Sequence, residues 1–275
     1  MVELVTDISL NINRFLIQLT KQTFKIFGIK IMKIKTLDAI LRNEKIRAKN
    51  ELEFILKMPD KSLERLLQHF GKSKSQLGQD LFVLSELDFK TNGFFVEFGA
   101  TNGIDLSNTY LLETDFEWTG ILAEPAKCWQ SELKQNRSAF IEDLCVWEDS
   151  TSILIFNETL SPELSTIASF SSGDSHRQSR ESGREYSVET ISLNDLLIKY
   201  NAPHHIDYLS IDTEGSEFLI LSALDFEKFS FSVITCEHAY TEKREDIKNL
   251  LEAHGYVRKY TELSAFDDWY VRKSE

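Results

Sequence analysis

Phe94-Phe-Val-Glu-Phe-Gly-Ala-Thr-Asn-Gly103 decides how this chain folds. Four apolar residues around one carboxylate predict a short buried strand over 94–98, and Gly99 and Gly103 follow at its carboxyl end. Glycines in that place let the backbone turn tightly and approach a ligand closely. The spacing Glu97-x-Gly99-x-x-x-Gly103 differs from the G-x-G-x-x-G of dinucleotide sites, where an acid two residues before the first glycine is unusual. A carboxylate at Glu97 suits a cationic ligand, such as the ammonium and sulfonium of S-adenosylmethionine.

Outward from this stretch the sequence alternates short apolar runs with amphipathic ones. Strands are predicted at 94–98, 120–123, 139–146, 207–211 and 231–236, and helices at 108–114, 126–136, 193–200, 216–224 and 243–254. That alternation implies a parallel sheet covered on both faces. Two further strands, 256–260 and 269–272, follow with no helix between them and predict an antiparallel C-terminal edge. Runs 152–156 and 186–191 read as extra strands around a segment, 161–187, that holds nine serines and few apolar residues. A loop this long inside a compact domain is functional or disordered; we expect it to cover an acceptor and exclude water.

Acidic residues recur at the predicted strand ends. Glu124 closes Gly120-Ile-Leu-Ala-Glu124-Pro125, where a carboxylate can accept hydrogen bonds from both hydroxyls of a ribose. Asp143 falls on the third strand, where an adenine edge is expected. Three acids at the carboxyl ends of successive strands point to one crevice. The second cluster is Asp207-Tyr-Leu-Ser-Ile-Asp212-Thr-Glu214-Gly215-Ser-Glu217 with Cys236-Glu237-His238. Neighbouring strands lie about 5 Å apart, so Asp212, Glu214, Glu237 and His238 are expected to converge. Two chemistries fit. His238, with an ordinary pKa of about 6.5, can take a proton from a hydroxyl nucleophile, with Asp212 and Glu214 beside it as catalytic partners. Alternatively Asp212, Glu237 and His238 can hold Mg²⁺, which acidifies the hydroxyl and fixes its approach. The remaining histidines carry weaker readings: His204 and His205 as solvated loop residues, His69 and His254 at helix ends, and His176 as a residue of the serine-rich segment.

Charge narrows the partners. The formal net charge of −13 is split, with +7 on residues 1–75 and −20 on the remainder. An acidic body repels phosphates, which excludes nucleic acid as the expected substrate. Three cysteines, none in C-x-x-C spacing, argue against a disulfide framework or a zinc site. No run reaches the roughly 18 apolar residues of a membrane span, and the chain reads as cytoplasmic. Residues 1–70 look helical. Between 21 and 35, lysines interleave with Phe24, Ile26, Phe27, Ile29, Ile31 and Ile34 as a basic amphipathic stretch. It suits self-association, or a position peripheral to an anionic membrane.

Together these motifs resemble the FkbM family of methyltransferases. The resemblance runs from Ser75 to about Val271, through Ser75-Gln-Leu-Gly-Gln-Asp80, Phe95 to Gly103 with Ser107-Asn-Thr109, Gly120 to Pro125, Ile206 to Glu217, and Glu237-His238 with Asp267-Asp-Trp-Tyr270. It implies a class I, Rossmann-like α/β sheet, S-adenosylmethionine as donor, and a hydroxyl of a sugar or natural product as acceptor. It places the cofactor on Glu97, Gly99, Gly103, Glu124 and Asp143, with Gln79 and Asn108 toward its methionine end. Ala100, Thr101, Pro125 and Asp212 lie within the same motifs and complete the expected contacts. Cys145 departs mildly from the small residue many members carry, and the first 70 residues lie outside the shared pattern. The expectation is a helical region, 1–74, before a methyltransferase domain, 75–275, that O-methylates a saccharide or surface glycan. An NAD-dependent sugar-nucleotide oxidoreductase is the rival enzyme, disfavoured by the missing G-x-G-x-x-G and Tyr-x-x-x-Lys. A non-catalytic cofactor-binding protein is the rival binder.

Overall fold

The computed structural model describes residues 52–57, 59–173 and 176–273. The basic amphipathic stretch and the other expectations for residues 1–51 fall outside them. The unit containing all described residues begins at Asn50. Phe54 and Leu66 are buried in its core. A helical run over 52–57 and the helix Asp60–Leu67 are separated by Pro59. Leu52 and Leu56 are 56% and 73% exposed, while Phe54 is buried. It meets Phe70 and Trp269 with ring centroids 5.8 and 6.2 Å away.

Seven strands form the main sheet: β1 (Phe94–Phe98), β2 (Thr119–Ala123), β3 (Phe140–Glu142), β8 (His205–Ile211), β9 (Ser230–Glu237), β10 (Tyr256–Lys259) and β11 (Asp267–Arg272). Their order is β10-β11-β9-β8-β1-β2-β3. β11 enters antiparallel between β9 and β10, so the antiparallel strand sits one place in from the edge. The strands alternate between two cores. Val96, Phe98, Ile121, Leu209, Ile211 and Ile234 pack under helices Leu193–Lys199, Glu217–Ser222 and Lys243–Ala253. Phe95, Leu122, Tyr208, Val233 and Trp269 pack on the other face, against helices Gln79–Glu86, Tyr110–Phe116 and Gln130–Asn136. Burial on both faces is why the central strands read as continuous apolar runs.

The predicted strand 139–146 is two strands. β3 pairs with β2, and after Asp143 and Leu144 the chain joins a second sheet as β4 (Cys145–Trp147). The bend is pinned by the Glu142 carboxylate, which accepts the Leu144 N–H at 3.2 Å. Beside β4 stand β7 (Arg184–Ser192), β5 (Ile153–Glu158) and β6 (Thr166–Ile167), in the order β4-β7-β5-β6. This sheet has its own apolar cluster of Ala126, Cys145, Trp147, Phe156, Ile167 and Val188. The serine-rich segment is therefore built on a scaffold. Among the described residues, no helix is long and apolar enough to cross a membrane.

Candidate active site

Register brings the site together. Phe98 pairs with Ala123 on one side and Ile211 on the other, and Ile211 pairs with Cys236. The next residue of each strand is therefore Gly99, Glu124, Asp212 and Glu237, and all four line one cavity of about 380 Å³. It lies outside the carboxyl ends of β1 and β8, where the connections leave the sheet in opposite directions. That is the switch point where open α/β sheets bind ligands.

The half beside β1 and β2 suits an adenosyl cofactor. Gly99 has φ +73°. Thr101 N–H donates to Glu124 Oε2 at 2.9 Å, and Ala126 N–H donates to Oε1 at 2.8 Å. Each carboxylate oxygen keeps a further lone pair for a ribose hydroxyl. Burial pushes the Glu124 carboxyl up to about 7. Ala123, Pro125, Cys145, Val146 and Phe156 supply the apolar wall. Asn108 Oδ1 is buried with no hydrogen-bond partner, while its Nδ2 donates to Ser210 at 2.9 Å. That acceptor suits a cofactor ammonium.

Several expected contacts stand elsewhere. Asp143 is absent from the cavity wall, because the bend after β3 turns its carboxylate onto Lys134 at 2.5 Å. Gln79 is tied to Asp267, Nε2 to Oδ2 at 3.1 Å, and Gln76 reaches the wall in its place. Ala100 and Gly103 sit behind the wall; a Cβ on Gly103 would lie 2.6 Å from Arg137 Cγ, so that glycine serves packing. Glu97 lines the cavity, but its carboxylate is already engaged. It accepts Asn108 N–H, Ser107 Oγ–H and Thr109 Oγ–H at 2.6, 3.0 and 2.5 Å, beside buried Arg137 at 3.8 Å. Glu97 thus holds the loop under the cofactor half. Arg137, which also donates to Gly103 O, Ser107 and Thr109, is a bracing residue that sequence reasoning missed.

The half beside β8 and β9 is acidic. Ligand oxygens of Asp212, Glu214 and Glu237 all lie within 4.8 Å of one another. Burial raises both Asp212, to about 6, and Glu237, well above the carboxylate range. Repulsion from Asp212, Glu214 and Glu217 adds to the rise at Glu237. Glu217 stands outside the cavity. Its Oε1 accepts Thr213 N–H, Thr213 Oγ–H and Gly215 N–H and shapes the loop that presents Glu214. Arg180 Nη2 meets Glu214 Oε2 at 2.6 Å from inside the serine-rich segment, a second residue the sequence did not single out.

His238 is the main correction. Successive residues of an extended strand face opposite sides. Glu237 faces the cavity, and His238 is buried away from it. Its Nδ1 accepts Tyr240 N–H at 3.0 Å, and its Nε2 lies 3.8 Å from Asp268. Desolvation lowers its pKa against the pull of Asp268. The imidazole is in no position to take an acceptor proton, and Glu214 replaces it in the metal-capable cluster. The serine-rich segment contributes Pro162, Glu163, Leu164, Ser165, Ile167 and His176 to the opposite wall.

Two expected results follow from Glu124. Its replacement by alanine leaves ribose hydroxyls unpaired and should weaken S-adenosylmethionine binding by about 1–3 kcal/mol, read by calorimetry; unchanged affinity would move the ribose site elsewhere. The second concerns pH. A carboxyl raised by burial contributes stability that is complete below the unfolded carboxylate range and is lost as pH rises through its folded value, here about 7. The thermal midpoint of the ligand-free protein should therefore fall between about pH 5 and 8, and the slope should be shallower in the Glu124→Ala protein, where Asp80 and Asp212, both raised to about 6, still contribute. An identical slope in both proteins would contradict the assignment.

Residues 97–260 match the methyltransferase FkbM domain. The chain belongs to the FkbM methyltransferase family and is an S-adenosylmethionine-dependent methyltransferase. Similar solved structures include the precorrin-6y C5,15-methyltransferase of Geobacter metallireducens, 13% identical with a TM-score of 0.40, covering 71% of this chain and 87% of that one. A fibrillarin/Nop5p complex is 11% identical with a TM-score of 0.37, covering 73% and 81%. Comparison with curated protein sequences gives no match. The residues fit S-adenosylmethionine: a close glycine turn at Gly99, paired acceptors at Glu124, an unpartnered acceptor at Asn108 and an acidic remainder.

Proposed function

We propose that this enzyme methylates a hydroxyl of a saccharide, with Asp212 as the base. The observation that carries the reading is the convergence of the Asp212, Glu214 and Glu237 carboxyls, their oxygens within 4.8 Å of one another on the wall of the cavity. S-adenosylmethionine, when bound, supplies an electrophilic methyl group. What remains for the protein is to position an oxygen in line and take its proton. Asp212 accepts that proton as the oxygen–carbon bond forms and the carbon–sulfur bond breaks, the electron pair going to sulfur. Glu237, pushed up by burial and by the neighbouring carboxyls, stands beside Asp212 in the same cluster. Glu163, Glu214 and Ser165 offer acceptors to neighbouring hydroxyls, the pattern a polyhydroxyl ring needs. Incubating the enzyme with methyl-labelled S-adenosylmethionine and a panel of methyl glycosides tests this. Label in an acid- and base-stable methyl ether supports it; label only in amines or carboxylates sinks it.

The same cluster favours a second reading. Asp212, Glu214 and Glu237 are hard oxygen donors close enough for one ion, the ligand type Mg²⁺ takes. A bound ion would lower the acceptor hydroxyl's pKa. Strong chelator should then abolish transfer, and Mg²⁺ restore it; activity indifferent to chelator leaves Asp212 as the base alone.

A further inference from the structure

The loop leaving β9 takes no part in the chemistry above, yet it holds an expensive conformation. Ala239 and Tyr240 are consecutive non-glycine residues with φ 42° and 58°. Such residues are strained and persist only where their surroundings hold them. Here His238 and Ala239 both donate their N–H groups to Phe266 O, at 2.9 and 3.2 Å, and Thr241 N–H donates to His238 O at 2.8 Å. The remaining amide, that of Tyr240, donates to His238 Nδ1. The buried imidazole stands edge-on to the Tyr240 ring, with centroids 5.5 Å apart and planes at 79°. The outcome is a tyrosine 70% exposed that lines the cavity together with Glu237, Ala239 and Phe266. A large aromatic side chain gains by burial, so holding one in water on a constrained backbone makes sense when a ligand covers it.

We propose that Tyr240 is the acceptor-binding platform, stacking on the apolar C–H face of a sugar ring, and that His238 is the positioning residue that holds it there. The inference rests on the saccharide reading. It explains how one wall serves an amphipathic ring: the C–H face lies on the phenol while rim hydroxyls reach the carboxylates. It also gives the buried His238 a role that needs only the acceptor lone pair on Nδ1.

The test uses the full chain, S-adenosylmethionine and the methyl glycosides that the wild type methylates. Tyr240→Ala should raise the glycoside KM about tenfold or more, with cofactor affinity unchanged, and Tyr240→Trp should keep it low. His238→Ala should raise the same KM and speed hydrogen exchange at the Tyr240 amide. His238→Asn, whose side-chain oxygen replaces Nδ1 as acceptor, should recover both. A Tyr240→Ala enzyme with wild-type KM overturns the platform, and an Asn variant as impaired as Ala, in exchange and KM, overturns the positioning role. If the wild type methylates no glycoside, the saccharide reading fails and takes the platform with it. Methylation that is indifferent to Tyr240 defeats the platform alone.

Discussion

Asp212→Asn is expected to lower methyl transfer by about 10²–10⁴-fold while the affinity for the demethylated product stays near that of the wild type. The argument begins with register. Asp212 follows Ile211, which pairs with Phe98 on β1 and Cys236 on β9. Its carboxylate is thereby fixed between the glycine turn and Glu237. Asparagine keeps the size and one acceptor but cannot take a proton. Acid should mimic the substitution. Burial sets Asp212 at about 6, so the basic form exists above that value and is lost below it. The wild-type rate should climb through about pH 6 and level off, and in Asp212→Asn that limb should vanish. Full activity in Asp212→Asn, with and without chelator, would refute both the base and the metal readings, since each needs this carboxylate.

The parts of this site that were legible in sequence are those fixed by backbone geometry. A strand that must end in a tight turn needs glycine, so Gly99 showed itself. Glu124 was read as one of three acids at successive strand ends, and it lines the cavity. Alternation of apolar strands and amphipathic helices gave the sheet because burial on two faces demands it. What misled was strand spacing taken alone. Glu237 and His238 were both read into the crevice because neighbouring strand ends lie close together, yet the two-residue period of an extended strand sends neighbours to opposite faces. The same applies to Asp143, one residue beyond a strand end, which a bend carried to the surface while Cys145 and Val146 took the wall. Arg137 and Arg180 could not have been found locally. Each acts across long stretches of chain, Arg137 on Glu113 and Glu97, Arg180 on Glu214. Only folding shows which of the three arginines in the serine-rich run, Arg177, Arg180 or Arg184, is buried against a site carboxylate.

Gly99→Ala should be the most disruptive single methyl group in the chain's cofactor half. A Cβ at Gly99 would stand 2.0 Å from the carbonyl oxygen of Asp212, a backbone atom with no side chain to swing aside. The residue also sits at φ +73°, where an L side chain is strained. Left-handed geometry costs roughly 1–2 kcal/mol and overpacking typically 1–3 kcal/mol, so the variant should lose about 2–5 kcal/mol of stability. Relief is possible only by separating the ends of β1 and β8, and those ends form the floor of the crevice. Cofactor binding should therefore fall with stability, even in the fraction that stays folded. Gly71 supplies the control, since a Cβ there meets nothing within 4 Å; Gly71→Ala should remain within about 0.5 kcal/mol of the wild type. Urea midpoints and calorimetric titration with S-adenosylmethionine measure the two effects separately. A Gly99→Ala protein that is as stable as Gly71→Ala and binds the cofactor normally would mean that β1 and β8 do not close on one another at the carboxyl edge.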